Sequence, residues 1–219
     1  VDPASVTAHD LAELMVGSEL PVPELRESTV TDRPVLQLRD VTVATPDGRL
    51  LLDAVSFTIH AGEVLGIAGV EGNGQAELVD AVMGIRPIAS GRIGLGDDDI
   101  TAWSTRRVRE AGVACIPEDR TRQGLLLEAP LWENRMLGYQ TQEPNAKGPL
   151  IDRRGALADT ERIVAADDVR TPSIDVPASA LSGGNQQKLI VGREMSGRSQ
   201  VLVAAHPTRG VDVGAQAAI

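Results

Sequence analysis

The sequence contains a glycine-rich stretch at residues 69–74, Gly-Val-Glu-Gly-Asn-Gly, whose composition is typical of a phosphate-binding loop. Glycines let consecutive backbone N–H groups curl around phosphate oxygens, and a helix directly behind the loop adds its positive dipole end. The full motif continues with a Lys that reaches the β- and γ-phosphates and a hydroxyl that holds Mg²⁺. Gln75 and Ala76 stand at those two positions. We therefore predict a phosphate cradle without its cation and metal ligand, formed by Gly69, Gly72, Asn73, Gly74, Gln75 and Ala76.

A second element that exposes backbone N–H groups is predicted at residues 181–188, Leu-Ser-Gly-Gly-Asn-Gln-Gln-Lys. A Ser and two glycines that open a helix present a hydroxyl and unpaired N–H groups to an anion. Each element has a plainer interpretation by itself, since the glycine loop also suits a tight strand-to-helix turn and the second element a capped helix. The two elements together, in this order, favour nucleotide chemistry.

The elements that must position these residues alternate between strand and helix. Residues 35–43 and 50–59 predict a β-hairpin, and residues 64–68 predict a short buried strand that leads into the glycine loop and a helix. The stretch before residue 35 combines one isolated helical pattern, capped by Thr7, with a proline-rich linker. Further elements follow from apolar periodicity: helices at 106–112, 131–139, 155–166 and 182–195, strands at 113–116 and 201–205, and a loop at 176–180.

Composition narrows the class of protein. The chain has 219 residues, enough for one sizeable core, and only 2 % aromatic residues, so aliphatic side chains must fill its interior. No apolar run approaches the about 20 residues that span a bilayer. A net charge of −10 disfavours a nucleic-acid partner. The single cysteine, Cys115, lies in an apolar strand pattern, which indicates a structural thiol and a reducing compartment.

The segment Leu-Ser-Gly-Gly-Asn-Gln-Gln-Lys resembles the signature motif of ATP-binding-cassette (ABC) ATPases, and it lies between the glycine loop and the next apolar strand as in that family. Its candidate signature residues are Leu181, Ser182, Gly183, Gly184 and Gln186. The resemblance implies an α/β fold, a P-loop NTPase cassette with a mixed core sheet, an antiparallel β subdomain and an inserted helical subdomain at about residues 120–180. It covers residues 35–219, and residues 1–34 resemble the tail of a preceding cassette with its linker.

The resemblance also implies that the phosphate site does not hydrolyse ATP. In the family, the strand after the signature ends in an Asp that orders Mg²⁺ and a Glu that polarises water, but Ala205 and His206 stand there. His206 has two readings, a water-orienting group or, as we favour, a passive residue. We therefore expect no catalytic residue and no metal ligand, with ATP as cofactor and Mg²⁺ doubtful. No aromatic residue for adenine stacking lies near the first hairpin.

Two further positions follow from the same resemblance. Glu118 occupies the place of the family's Gln that senses the γ-phosphate and contacts the permease, and we interpret it as a coupling residue whose charge repels phosphate. Asp212 matches the loop that crosses the dimer interface, called the D-loop. The family's switch His is expected beyond Ile219, in keeping with a piece of a longer polypeptide.

The stretches Gly-Val-Glu-Gly-Asn-Gly-Gln, Ile-Pro-Glu-Asp-Arg and Ala-Ala-His-Pro-Thr-Arg-Gly together resemble the second cassette of tandem simple-sugar and nucleoside importers, the nucleoside type above all. The implied partners are the upstream cassette of the same polypeptide, transmembrane permease subunits and, indirectly, an extracytoplasmic substrate-binding protein. The implied location is the cytoplasmic face of the cell membrane. The alternatives are a scaffold that binds no nucleotide, a soluble tandem cassette acting on ribosomes or DNA, and an autonomous ATPase.

Overall fold

The structure is a computed structural model that describes residues 27–197 and 199–211, and these form two compact units. The β unit comprises residues 27–115 and 194–205, and the described part of the helical unit comprises residues 116–193 and 206–211. The strands are β1 (Pro34–Ala44), β2 (Leu50–His60), β3 (Ser90–Leu95), β4 (Asp98–Asp99), β5 (Val113–Ile116), β6 (Ala146–Lys147), β7 (Leu150–Ile151) and β8 (Val201–Ala204). The helices are α1 (Gln75–Val82), α2 (Thr105–Glu110), α3 (Leu131–Met136), α4 (Arg153–Ala166) and α5 (Gly183–Met195), with a π-helical turn (Arg120–Gly124) and a 3₁₀ turn (Ala178–Ala180).

The β unit is built on an antiparallel sheet with the strand order β2-β1-β3-β4. Strand β1 pairs on both edges, and its apolar residues are buried: Leu36, Leu38, Val41 and Val43. The turn between β1 and β2 closes through the Thr45 N–H, which donates to the Arg49 carbonyl at 2.9 Å. The predicted hairpin is thereby confirmed. Strands β3 and β4 were not predicted, because their short, glycine- and aspartate-rich sequences lack a strand pattern.

The predicted buried strand at residues 64–68 is wrong. The described residues contain no strand paired with this segment, and Val64 is 95 % exposed while Ile67 is 55 % exposed. An apolar run becomes a strand only where a neighbouring strand satisfies its backbone groups and covers its side chains. Strand β8 does pair, with β5, but among its residues only Val201 is buried. The strand predicted at 201–205 is thus confirmed over 201–204, although most of it is not buried.

The helical unit has its own apolar core, to which α3, α5 and the 3₁₀ turn contribute Leu131, Ala178, Leu189 and Ile190. The helices predicted at 131–139, 155–166 and 182–195 are confirmed, although α3 ends at Met136 and α4 begins at Arg153. The loop predicted at 176–180 contains the 3₁₀ turn. The predicted helical pattern around Thr7 and the linker lie mostly outside the described residues, and the domain division at residue 34 stays a prediction.

A buried ion pair joins α3 to α4 within the helical unit. The Arg135 Nη2 atom lies 2.6 Å from the Asp159 Oδ2 atom, and the side chains are 4 % and 6 % exposed. Burial lowers the pKa of Arg135, and the negative charge of Asp159 opposes that shift. Asp159 also accepts a hydrogen bond from Arg162 at 2.7 Å. The ion pair thus adds to the apolar contacts of two helices that also bury Leu131, Met136, Ala156 and Ile163.

Replacing Asp159 with Ala should lower the free energy of unfolding by about 3–5 kcal/mol, because the Arg135 charge would stay buried without its carboxylate. Urea unfolding followed by circular dichroism measures the change. The matched control is Glu161→Ala, an exposed carboxylate on the same helix, with an expected change within about 0.5 kcal/mol. Equal effects of the two variants would contradict a structural role for the Arg135–Asp159 pair.

Candidate functional site

The glycine loop lies exposed in the β unit and leads directly into α1. Gly72 and Gly74 have φ angles of +89° and +99°, the left-handed region that glycine adopts without strain. Gly74 is also crowded, since a Cβ atom there would lie 2.8 Å from the Leu51 carbonyl oxygen. Glycine is therefore required at these two positions by the backbone, and the phosphate cradle stays a prediction.

The Gln75 side chain folds back into this loop. Its Nε2 atom donates a hydrogen bond to the Val70 carbonyl at 3.2 Å, and the same carbonyl accepts from the Asn73 N–H at 3.2 Å. The amide also lies over Gly69, where a Cβ atom would come within 2.4 Å of Nε2. The loop is closed by a neutral amide from its own helix. The contacts of the Gln75 side chain with Val70 and Gly69 were not predicted from the sequence.

Ser182 and Asn185 form a hydrogen-bonded start to α5 in the helical unit. The Ser182 Oγ atom accepts from the Asn185 Nδ2 atom at 2.9 Å and from the Asn185 N–H at 3.4 Å. The Asn185 Oδ1 atom accepts from the Arg170 N–H at 2.8 Å. The predicted helix-capping role of Ser182 is confirmed.

The remaining signature residues are anchored beneath this start. Leu181 is buried in the apolar core of the helical unit, and the Gln186 Nε2 atom donates to the Ala178 carbonyl at 3.0 Å. The buried Leu181 and the Gln186 hydrogen bond thereby fix the helix start, while Ser182 is exposed.

Arg120 was not singled out from the sequence, although it closes the Ile-Pro-Glu-Asp-Arg motif. Its guanidinium donates to the Arg209 carbonyl at 2.8 Å, to the Gly210 carbonyl at 3.2 Å and to Gln186 Oε1 at 3.4 Å. A Cβ atom on Gly183 would lie 2.7 Å from its Nη2 atom. The sequence feature that could have indicated Arg120 is the charged run that follows an apolar strand.

Glu118 has a cationic partner in the helical unit. The Arg209 Nη1 atom lies 2.5 Å from the Glu118 Oε1 atom, and both side chains are partly exposed. The carboxylate is therefore engaged with a residue of the 207–210 turn, an ion pair that the sequence did not predict. Its predicted coupling to a permease stays a prediction.

The two positions after β8 contain no carboxylate. Ala205 is half-buried, and His206 is exposed with a φ angle of +48°. Asp212, the predicted D-loop residue, lies outside the described residues. Residues 69–76 and Ala205 belong to the β unit, whereas Glu118, residues 181–186 and His206 belong to the helical unit.

Comparison with known proteins establishes the family. A family profile described as ABC transporter matches residues 52–209, which is more than half of the chain. The chain therefore belongs to the ABC transporter family. Its ATP-binding domains bind ATP, normally together with Mg²⁺. No helix within the described residues has the length and hydrophobicity of a membrane span.

Among curated relatives, a guanosine import ATP-binding protein of Bacillus subtilis is 38 % identical over 98 % of the chain and 42 % of its own length. A glucose import ATP-binding protein of Haloferax volcanii is 40 % identical over 98 % of the chain and 40 % of its own length. A ribose import ATP-binding protein of Streptomyces coelicolor is 36 % identical over 99 % of the chain and 41 % of its own length. The chain spans about two fifths of the length of these relatives.

Solved structures confirm the fold class. The ADP conformation of an ATP-binding cassette from an ABC transporter superposes with a TM-score of 0.67 and 21 % identity, covering 84 % of this chain and 73 % of that chain. A nucleotide-free cassette gives a TM-score of 0.66 with the same identity and coverage. The predicted P-loop NTPase cassette, a mixed α/β fold with an antiparallel sheet, is thus confirmed.

Replacing Gln75 with Ala should open the glycine loop and raise the affinity for ATP about 10-fold, because a phosphate then displaces no hydrogen-bonded amide. Calorimetric titration of the chain with ATP, with and without Mg²⁺, measures the dissociation constant. Gln123→Ala, an exposed glutamine in the helical unit, is the control and should leave the affinity unchanged. Unchanged or weaker binding in Gln75→Ala would contradict the inference that this side chain closes the loop.

Proposed function

We propose that residues 35–219 are the second cassette of a tandem import ATPase, and that this half supports hydrolysis in its partner rather than hydrolysing ATP itself. The observation that carries the proposal is the closure of the glycine loop by Gln75, together with alanine at the positions expected to hold the metal. Signature residues with their own anchored hydrogen bonds are retained in the same chain. The chain therefore retains the signature residues that would complete a partner's site, and it lacks the residues that would hydrolyse ATP at its own glycine loop.

The residues at the phosphate site do not fit a bound Mg²⁺. Magnesium prefers oxygen ligands in octahedral geometry, and neither Ala76 nor Ala205 offers a side-chain oxygen. Phosphoryl transfer depends on the metal and on a residue that orients the attacking water. His206 follows β8 in a turn, exposed, and makes no substitute for the missing carboxylate pair. We derive no catalytic step at this site.

Nucleotide binding without hydrolysis has a defined role in this proposal. The loop backbone retains the glycine geometry of a cradle, so ATP would be held weakly or as a structural clamp after the Gln75 amide rotates away. A ligand that favours the closed pair of cassettes shifts their equilibrium by its differential affinity. The second candidate is a scaffold that binds no nucleotide. The amide that already fills the loop favours this reading.

The proposed partners follow from the relatives. Their names describe import of guanosine, nucleosides, glucose and ribose, and this chain spans two fifths of each. We therefore propose an upstream cassette in the same polypeptide, permease subunits, an indirect link to an extracytoplasmic binding protein, and attachment at the cytoplasmic face of the membrane. The transported class is simple sugars or nucleosides. Net charge −10 opposes the alternative of action on nucleic acid.

Replacing Ser182 with Arg in the full-length tandem protein should lower the turnover of ATP about 100-fold or more. The signature hydroxyl and helix start would then no longer reach the nucleotide held by the upstream cassette. Phosphate release by the purified transporter measures turnover. Ser179→Arg, an exposed serine in the turn before the signature, is the control and should retain turnover.

Two outcomes would contradict the proposal. Retained turnover in the Ser182→Arg variant would show that the signature of this chain does not complete an active site. Hydrolysis by the chain alone, free of the upstream cassette, would show that residues 69–76 form a competent site.

A further inference from the structure

The turn at residues 207–210 is held against the signature helix through its carbonyl oxygens. Arg120 donates to the carbonyls of Arg209 and Gly210, and the Gln187 Nε2 atom donates to the Pro207 carbonyl at 2.6 Å. Three of the four carbonyls in this turn therefore receive a side-chain hydrogen bond from outside it. All of these groups belong to the helical unit.

Two glycines leave room for the Arg120 side chain. Gly183 is the first residue of α5, and a Cβ atom there would lie 2.7 Å from the Arg120 Nη2 atom and 3.3 Å from the Gly210 carbonyl oxygen. Gly210 has a φ angle of +67°, and a Cβ atom on it would lie 3.3 Å from the Arg120 Nη1 atom. The guanidinium therefore occupies space beside both glycines that a Cβ atom on either residue would enter.

The segment that presents Arg120 is itself fixed. The Asp119 Oδ1 atom accepts from the backbone N–H groups of Thr121 and Arg122 at 3.0 and 3.1 Å, which caps the π-helical turn. The Thr121 hydroxyl donates to the same oxygen at 2.7 Å, and this bond, with the two backbone N–H groups, lowers the pKa of Asp119, so the carboxylate is ionised at neutral pH. Glu118 holds the side chain of Arg209 through its ion pair. Asp119 thus fixes the turn that carries Arg120, and Glu118 fixes Arg209, whose carbonyl accepts from Arg120.

We propose that Arg120 is a positioning residue that locks the 207–210 turn to the start of the signature helix, so that both present one fixed arrangement to the partner cassette. The inference rests on the proposed function of the signature residues. A planar guanidinium serves several acceptors in one fixed geometry, whereas a Lys ammonium is a compact point charge on a flexible stem. Arg120 itself touches no nucleotide in this proposal and acts only through Gly183, Gln186 and the turn.

The test uses the full-length tandem protein with Arg120→Gln, Arg120→Lys and the control Arg122→Gln, which removes an exposed charge from the same turn. Hydrogen exchange should speed up at least about 10-fold at residues 183–187 and 207–210 in both Arg120 variants and remain unchanged in the control. Turnover should fall about 10-fold in kcat with an unchanged KM for ATP, since the residue orients the site without binding the nucleotide.

Gly183→Ala provides an independent check, because its methyl group displaces the guanidinium while Arg120 remains. It should reproduce the exchange pattern of Arg120→Gln, and the double variant should add little to either single change. Unchanged exchange at 207–210 in Arg120→Gln would overturn the proposal, as would full protection in Arg120→Lys. Faster exchange with wild-type turnover would support the contact and count against the signature role under "Proposed function".

Discussion

Within the helical unit, one guanidinium group connects the signature helix to the turn after β8. Arg120 donates to Gln186 on the signature helix, 66 positions away in sequence, and to Arg209 and Gly210 in the turn after β8, 89 and 90 positions away. Gly183 has no side chain at the point where the guanidinium passes, and Gln186 contributes both an acceptor for Arg120 and a donor to Ala178. The geometry of the signature therefore depends on a long-range contact rather than on helix capping alone.

The glycine loop shows the opposite arrangement. There a neutral amide, Gln75, meets the backbone carbonyl of Val70 and covers Gly69, so the loop is satisfied from within. A cationic Lys at this position would be attracted to a phosphate and would extend toward it. A neutral amide instead gains a hydrogen bond by folding back onto the loop. The chain thus contains a signature region that is hydrogen-bonded to a guanidinium and a glycine loop that is closed by an amide. The proposed division of labour between two cassettes rests on this contrast.

Local patterns predicted most of the fold, because hairpin turns, helix caps and apolar periodicity act over a few residues. The hairpin of β1 and β2, the helices α1 and α5 and the strand β5 are examples. Residues 64–68 were mispredicted because an apolar run does not reveal whether a neighbouring strand exists. The missing Lys and carboxylates were visible in the sequence, but the Arg120 and Glu118 contacts were not, since they join segments separated by roughly 70 to 90 positions.

The most direct test of the central claim locates hydrolysis within the full-length tandem protein. ATP turnover in the presence of orthovanadate traps ADP at a site that has hydrolysed, and a photoreactive ATP analogue marks the peptide that holds it. If the proposed division of labour holds, about one ADP is trapped per polypeptide, attached to the upstream cassette, and none on the peptide that contains residues 69–76. Trapped ADP at residues 69–76 would show that this loop hydrolyses ATP and would contradict the account.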